Sequence, residues 1–226
     1  TCTGPIDTQA GSVSPPSIPA WSSFPLRERL AELSSLPVVL DSLAGAAADA
    51  RRALFDDTPE SFVEVLLDGS VDSACVVGGT RLRGAHGNAG SIAHVVVEPD
   101  GARCACGALG CAEVYLSSRS IEAEINRPIQ RVTPSIVERS GIMLGRALAS
   151  LAATVDVDTA YVSGSLVETL GAPLLVAART EIAERARLAN VAGLSVESVP
   201  PIAPLVAAAA VAGRPGRTSL AALLDD

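Results

Sequence analysis

The sequence predicts an α/β protein, and three observations predict it. Of the 226 residues 48% are apolar while only 3% are aromatic, so the core has to be built from small aliphatic side chains on helices and buried strands. Through the second half, short apolar runs of strand length alternate with longer segments of helical spacing. The first half instead carries β-rich runs joined by Asp-Gly and Gly-Gly turns, the pattern of antiparallel strands.

Each element follows in order. Residues 1–24 mix Pro, Gly, Ser and Thr, which predicts turns and extended connections. Pro25 suits a first helical position, and Leu26, Leu30 and Leu33 recur at helical spacing through PLRERLAEL, so a short amphipathic helix follows. Pro37 to Leu40 reads as a buried strand, and Asp41 as the cap of an Ala-rich helix running to about Leu54. FVEVLL and SACVV, separated by Asp68-Gly69, read as antiparallel strands between Ser61 and Val77, with a Gly78-Gly79 turn leading into Thr80 to Leu82. After the Gly-rich stretch RGAHGNAG, His94 to Val97 reads as another strand, ended by a type I turn over Glu98-Pro99-Asp100-Gly101.

Thr133 and Pro134 form an N-cap and first-turn pair. Ile136, Val137, Met143, Leu144, Leu148 and Leu151 then mark one face of a long helix that ends near Val155. Thr159 to Val162 reads as a buried strand, Leu166 to Ala186 as a long helix, Leu194 to Val199 as a strand, and Pro204 to Ala212 as a final helix before an acidic tail. This β-α-β-α order predicts a largely parallel sheet with crossover helices after the antiparallel first half. No repeat of solenoid period is visible.

Charge and hydropathy exclude some classes. The formal net charge is −8 and no Lys/Arg-rich run occurs, so the chain lacks the electrostatic footprint of a nucleic-acid-binding surface. The longest apolar run, Ala203 to Gly213, is too short to span a bilayer, and the start has no signal-peptide pattern. A soluble, cytoplasmic protein is expected. The chain starts at Thr1 and its single methionine is Met143, so it is expected to begin upstream, by roughly a hundred residues on typical domain size.

Of five cysteines, three crowd into HVVVEPDGARCACGALGC, with nine residues between His94 and Cys104, one between Cys104 and Cys106, and four between Cys106 and Cys111. In an intracellular protein that spacing reads as metal binding rather than a disulfide framework. Zinc takes a tetrahedral set of thiolates and imidazole, and the turn at Glu98 to Gly101 can fold Cys104 back toward His94. Four protein ligands leave no open coordination position, so the expected zinc is structural. The plainer alternative is three buried free cysteines beside an unrelated histidine.

The stretch RGAHGNAGSIAHVVVEPDGARCACGALGCAE closely resembles the signature of the ROK family, which groups bacterial sugar kinases with transcriptional repressors of sugar metabolism. The resemblance extends over GPIDTQAGSV and WSSFPLRERLAELSSLPVV, and more loosely over VSGS and PLVAAAAVAG. It implies an actin-like, ribonuclease-H-like α/β fold with two lobes around a cleft, the first lobe incomplete in this fragment. On that reading residues 1–40 are the remainder of the N-terminal lobe, 41–202 the C-terminal lobe with its zinc loop at 94–111, and 203–226 a helix and tail returning toward the N-terminal lobe.

The resemblance also exposes departures. The family's kinases carry an Asn-Asp pair after the strand matching Pro37 to Leu40, the Asp acting as base for the sugar hydroxyl. Those positions are Ser42 and Leu43 here, and leucine accepts no proton; only a shifted register would bring Asp41 near. The sugar-binding Glu of the family's Gly-Glu-Ile-Gly-His motif is Ser91, the next Gly is Ala93, and His94 is retained. The phosphate loop reads GSVDSA from Gly69, with Asp72 where phosphate would approach. The adenosine-side Gly-Gly is reduced to Ser163-Gly164-Ser165. Glu113 matches a retained sugar-contacting carboxylate, or else is a solvated residue at a helix start.

Together these imply no catalytic residue, and Glu113 and His94 as ligand-binding candidates. The expected function is the effector-binding or oligomerisation body of a ROK transcriptional regulator of sugar metabolism, not an enzyme. Its partners would be a sugar or sugar phosphate, a second or further copy of the chain in a dimer or tetramer, and DNA only through an upstream segment. The alternatives are an ATP-dependent sugar kinase and a ligand-blind dimerisation scaffold.

Overall fold

The structure is a computed structural model that describes residues 1–213. The acidic tail expected after the last helix lies outside the described residues, as does the rest of the 203–226 segment beyond residue 213. The strands are β1 (Ile6–Asp7), β2 (Ser12–Val13), β3 (Phe62–Leu67), β4 (Val71–Val77), β5 (Thr80–Arg81), β6 (Thr159–Ser163) and β7 (Ser195–Ser198). Helices α1 (Leu26–Ser34) and α2 (Leu43–Leu54) precede the main sheet, and α3 (Ala112–Leu116) and α4 (Ser118–Ile125) follow the cysteine loop. The remainder are α5 (Pro134–Val155), α6 (Ser165–Leu170), α7 (Ala172–Arg185), α8 (Ala189–Ala192) and α9 (Pro204–Ala212).

Strands β5-β4-β3-β6-β7 form one sheet in that order, with β4 antiparallel to β3 and β5, and with β6 and β7 parallel to β3. The predicted change from antiparallel to parallel is therefore present, and β3 is where it happens. Every residue of β3 is buried because both faces are covered, which is why FVEVLL reads as a continuous run rather than an alternating one. Phe62 and Leu66 pack with Ala48 and Ala44 of α2 on one face. Val63, Val65 and Leu67 join the large core with Leu144 and Leu148 of α5 and Leu174 of α7 on the other. Glu64 points to the α2 face, where Arg51 grips it through two hydrogen bonds of 2.6 and 2.9 Å.

The α5 and α7 helices meet through glycine. A Cβ on Gly141 would lie 2.4 Å from the Leu174 carbonyl oxygen, and one on Gly145 would lie 2.6 Å from that of Ala178. Only hydrogen lets the two backbones approach this closely. On the other side of the sheet, Ala46 of α2 packs with Ala207 and Val211 of α9. No helix among the described residues is long and apolar enough to cross a membrane.

Several local expectations are corrected. Residues 37–40 form no strand; the chain instead makes one parallel bridge between Cys2 and Ser42, with the Cys2 amide bonded to the Asp41 carbonyl at 3.0 Å. A strand needs a partner along its length, and here pairing is confined to that bridge. The cap of α2 is Ser42, whose Oγ accepts from the Gly45 amide at 3.0 Å, and not Asp41. Thr133 stands at the N-cap of α5 but makes no side-chain cap bond; its hydroxyl meets that of Ser135.

His94 to Val97 is likewise not a strand, since its pairing is a single bridge between Val96 and Cys111. The turn after it closes with a 2.9 Å bond from the Gly101 amide to the Glu98 carbonyl, but Asp100 has φ +63°, which a type I turn does not use. The long helix expected from Leu166 to Ala186 is broken at Gly171, at φ +64°, with Pro173 two residues on. Proline lacks the amide that would continue the ladder.

Candidate functional site

Two adjoining features dominate the described residues: a His/Cys cluster and a cavity beside it. The cluster is built on a loop that doubles back on itself. The Val97 amide bonds to the Gly110 carbonyl at 2.8 Å and the Cys104 amide to the Ala108 carbonyl at 2.8 Å. Gly110 sits at φ +69°, and a Cβ there would lie 1.7 Å from the Glu98 carbonyl oxygen, so the doubling back requires glycine at this point.

As a result His94, Cys104, Cys106 and Cys111 each present a ligand atom within 4.8 Å of the others. Cys104 Sγ lies 3.6 Å from His94 Nδ1, and Cys106 Sγ 3.7 Å from Cys111 Sγ. Thiolates at about 2.3 Å from a tetrahedral ion sit about 3.8 Å from one another, close to the Cys106–Cys111 separation, so the donor set suits a metal ion. Burial lowers the His94 pKa, which keeps the ring neutral with a lone pair to donate. Cys104 and Cys111 are buried while Cys106 is exposed, so the cluster reaches the surface on one side.

The cavity, of about 710 Å³, lies between the N-terminal segment around Cys2, Pro15 and Trp21 and the wall made by β4, α3 and α4. Asn88 ties the two sides together. Its Oδ1 accepts from the Ile6 amide at 2.9 Å and its Nδ2 donates to the Ile6 carbonyl at 2.7 Å, so β1 is fastened to the Gly-rich stretch. Ser73 holds the next part of that stretch, donating to the Gly90 carbonyl and accepting from the Ile92 amide, both at 2.8 Å. Sequence reasoning missed both residues; a polar side chain inside RGAHGNAG was the available signal for Asn88.

Two carboxylates line the cavity, Asp72 and Glu113, along with the cationic side chains of Arg103 and Arg119. Glu113, in the first turn of α3, accepts from the Val71 amide at 2.8 Å. Burial pushes its pKa up to about 7, against the pull of that amide, Ser117 and Arg119. Asp72 is only 6% exposed. Its Oδ2 accepts from the Ala44 amide at 2.9 Å. Burial pushes Asp72 up to about 7 as well, opposed by the amides of Ala44, Ser73 and Leu43 and by Arg81. Both ligand-binding candidates, Glu113 and His94, thus stand on the cavity wall, as does Ser91.

Other residues singled out from the sequence lie elsewhere. Asp41 is 1% exposed and bonded to Arg81; its neighbour Ser42 lines the cavity but Asp41 itself does not. In the Ser163-Gly164-Ser165 segment, the amide and hydroxyl of Ser165 both bond to Asp68 Oδ1 at 2.7 Å, which ties the start of α6 to the β3–β4 turn.

The ROK family profile matches residues 1–212. The chain belongs to the ROK family. It is 29% identical over 170 residues to an N-acetylmannosamine kinase from Shigella boydii, a match over 69% of this chain and 58% of that protein. Among solved structures it resembles a ROK glucokinase from Streptomyces griseus, crystallised with glucose and AMPPNP, with a TM-score of 0.73 and 22% identity over 91% of this chain and 77% of that one. It also resembles a ROK transcriptional regulator described as a homologue of the E. coli MLC protein, with a TM-score of 0.72 and 21% identity over 92% of this chain and 59% of that one. The fold is the actin-like α/β fold of these ROK proteins. The chain spans 58% of the length of the curated kinase it matches.

The expectation that this ROK chain is not an enzyme is corrected by these comparisons. Its curated relatives are named as kinases, and a ROK glucokinase shares its fold. The physical reason the expectation failed is also visible. It rested on departures from the kinase motifs, chief among them the missing carboxylate at position 43, but Asp72 and Glu113 leave the cavity wall supplied with carboxylates.

Proposed function

We propose that this chain is part of an ATP-dependent sugar kinase that phosphorylates a hydroxyl of an N-acetylated hexose in the cavity between the N-terminal segment and β4. The observation that carries this reading is the pair of carboxylates, buried Asp72 and half-buried Glu113, on one wall of a cavity large enough for a sugar, in a chain whose curated relatives are named N-acetylmannosamine kinase. In this reading Glu113 and His94 hold sugar hydroxyls, and Asn88 keeps β1 against the Gly-rich stretch so that the cavity keeps its width.

We assign the His94/Cys104/Cys106/Cys111 cluster to a structural zinc. Three thiolates and one imidazole suit its tetrahedral preference and leave no position for water. When bound, the ion would fix the loop that leads into α3, whose first turn carries Glu113. The lobe boundaries near residues 40 and 203 belong to the same reading.

The test is a coupled ADP-release assay on the full-length protein with ATP, magnesium and a panel containing N-acetylmannosamine, N-acetylglucosamine, mannose and glucose. Sugar-dependent ADP release supports the kinase; its absence with every sugar removes it. A second reading, a sugar-sensing regulatory body, draws on Leu43 and Ser91 and on the ROK regulator among the structural neighbours. Sugar-induced stabilisation without ADP release would favour it.

A further inference from the structure

We propose that Asp72 is the proton acceptor of this cavity, a role that rests on the kinase reading above: its carboxylate takes the proton of the sugar hydroxyl that is phosphorylated. In the step, the hydroxyl oxygen forms a bond to the γ-phosphorus of a nucleoside triphosphate. The bond from that phosphorus to its bridging oxygen breaks, the nucleoside diphosphate departs with the electron pair, and the hydroxyl proton passes to Asp72.

Three observations lead here. First, position 43, at the start of α2, carries a leucine, and the carboxylate that reaches the same backbone comes from another element: Asp72 of β4 accepts from the amide of Ala44, the very next residue. Second, the competing acids are otherwise engaged. Asp41 is bound to Arg81 and does not line the cavity, and Glu113 stands two residues from the metal ligand Cys111 and is the group that holds sugar hydroxyls in the reading above. Third, Asp72 combines depth with access, being 6% exposed while its residue lines the cavity.

The surroundings suit the role. From α2, the Ala44 amide donates to the carboxylate; from β5, Arg81, and from the N-terminal segment, the Cys2 thiol, face it. A carboxylate has about four acceptor positions, and the Ala44 amide takes one of them, so acceptor capacity is left for a hydroxyl. Burial outweighs the amides and Arg81 and brings the group to about 7, the range in which a base is both ionised and able to hold a proton at neutral pH. Cys2 is pushed upward by its own burial and by Asp72, so it stays neutral there.

The experiment compares the full-length protein with its Asp72→Asn variant, using ATP, magnesium and the sugar that gives the fastest turnover. The amide keeps an acceptor for Ala44 but cannot take a proton. The expected result is a fall in kcat of about 100-fold or more, with the sugar KM within a few-fold. The wild-type rise in activity through about pH 7 should be lost. Turnover within three-fold of wild type, or a lower KM for ATP with turnover kept, would overturn the proposal, the second result marking Asp72 as a mere repellent of phosphate. Should D72N not fold, D72S is read in the same way. A wild type inactive on every sugar removes the kinase reading and this inference with it, whereas an active wild type with an equally active variant removes only the inference.

Discussion

Arg81 encloses Asp41: its two terminal nitrogens meet the two carboxylate oxygens, one at 2.9 Å, and neither residue is more than 8% exposed. Arg81 Nε also lies 3.2 Å from Asp49 Oδ2, and the guanidinium passes so close to α2 that a Cβ on Gly45 would lie 1.7 Å from its NH1. One arginine therefore joins β5 to both ends of the segment that opens α2. It also explains why Asp41 does not stand in for the missing carboxylate at position 43.

Replacing Arg81 by methionine should cost about 3–5 kcal/mol, because it removes the cation that bridges buried Asp41 and half-buried Asp49. Urea denaturation followed by far-UV circular dichroism would show a lower midpoint at an unchanged m-value. A loss under about 1 kcal/mol would mean the network contributes little beyond surface pairing.

Purified native protein should carry one zinc per chain by elemental analysis. Cys106→Ser alters the exposed ligand, so it should lower the metal content while disturbing the packing least. A loss of about 3 kcal/mol corresponds to a fall of about 10 °C in Tm for a domain of this size. A variant with equal metal content and melting temperature would exclude Cys106 from the site.

Asp72 also makes stability depend on pH. Its carboxyl has an ordinary value of 3.8 and is raised to about 7 in the folded protein. Between those values the folded state binds more protons than the unfolded one, so stability falls as pH rises and the loss is complete above about pH 7. Asp72→Asn removes this penalty, so the variant should exceed wild type by on the order of 4 kcal/mol at pH 8. The two should converge near pH 4. Parallel urea titrations at the two pH values check it, and a difference that does not change with pH would contradict the burial of this charge.

Much of the fold was readable because its signals are local. The β3 and β4 runs, the Gly78-Gly79 turn, the long α5 and the closing α9 all announce themselves through periodicity and turn residues. The failures are the places where a partner decides. Pro37 to Leu40 has strand composition but pairs only through a bridge at Ser42. Leu166 to Ala186 has helical composition throughout, yet the Gly171 and Pro173 pair splits it.

The sequence by itself picked out the His/Cys cluster and the change from antiparallel to parallel strands, because cysteine spacing and hydrophobic period are properties of neighbouring residues. Only the tertiary structure decided which carboxylate faces the cavity. Asp41, beside the expected position, is turned inward by an arginine 40 residues away, while Asp72 reaches α2 from a strand 28 residues on. A buried charge goes where its hydrogen-bond partners are, and those partners lie in other elements of the fold.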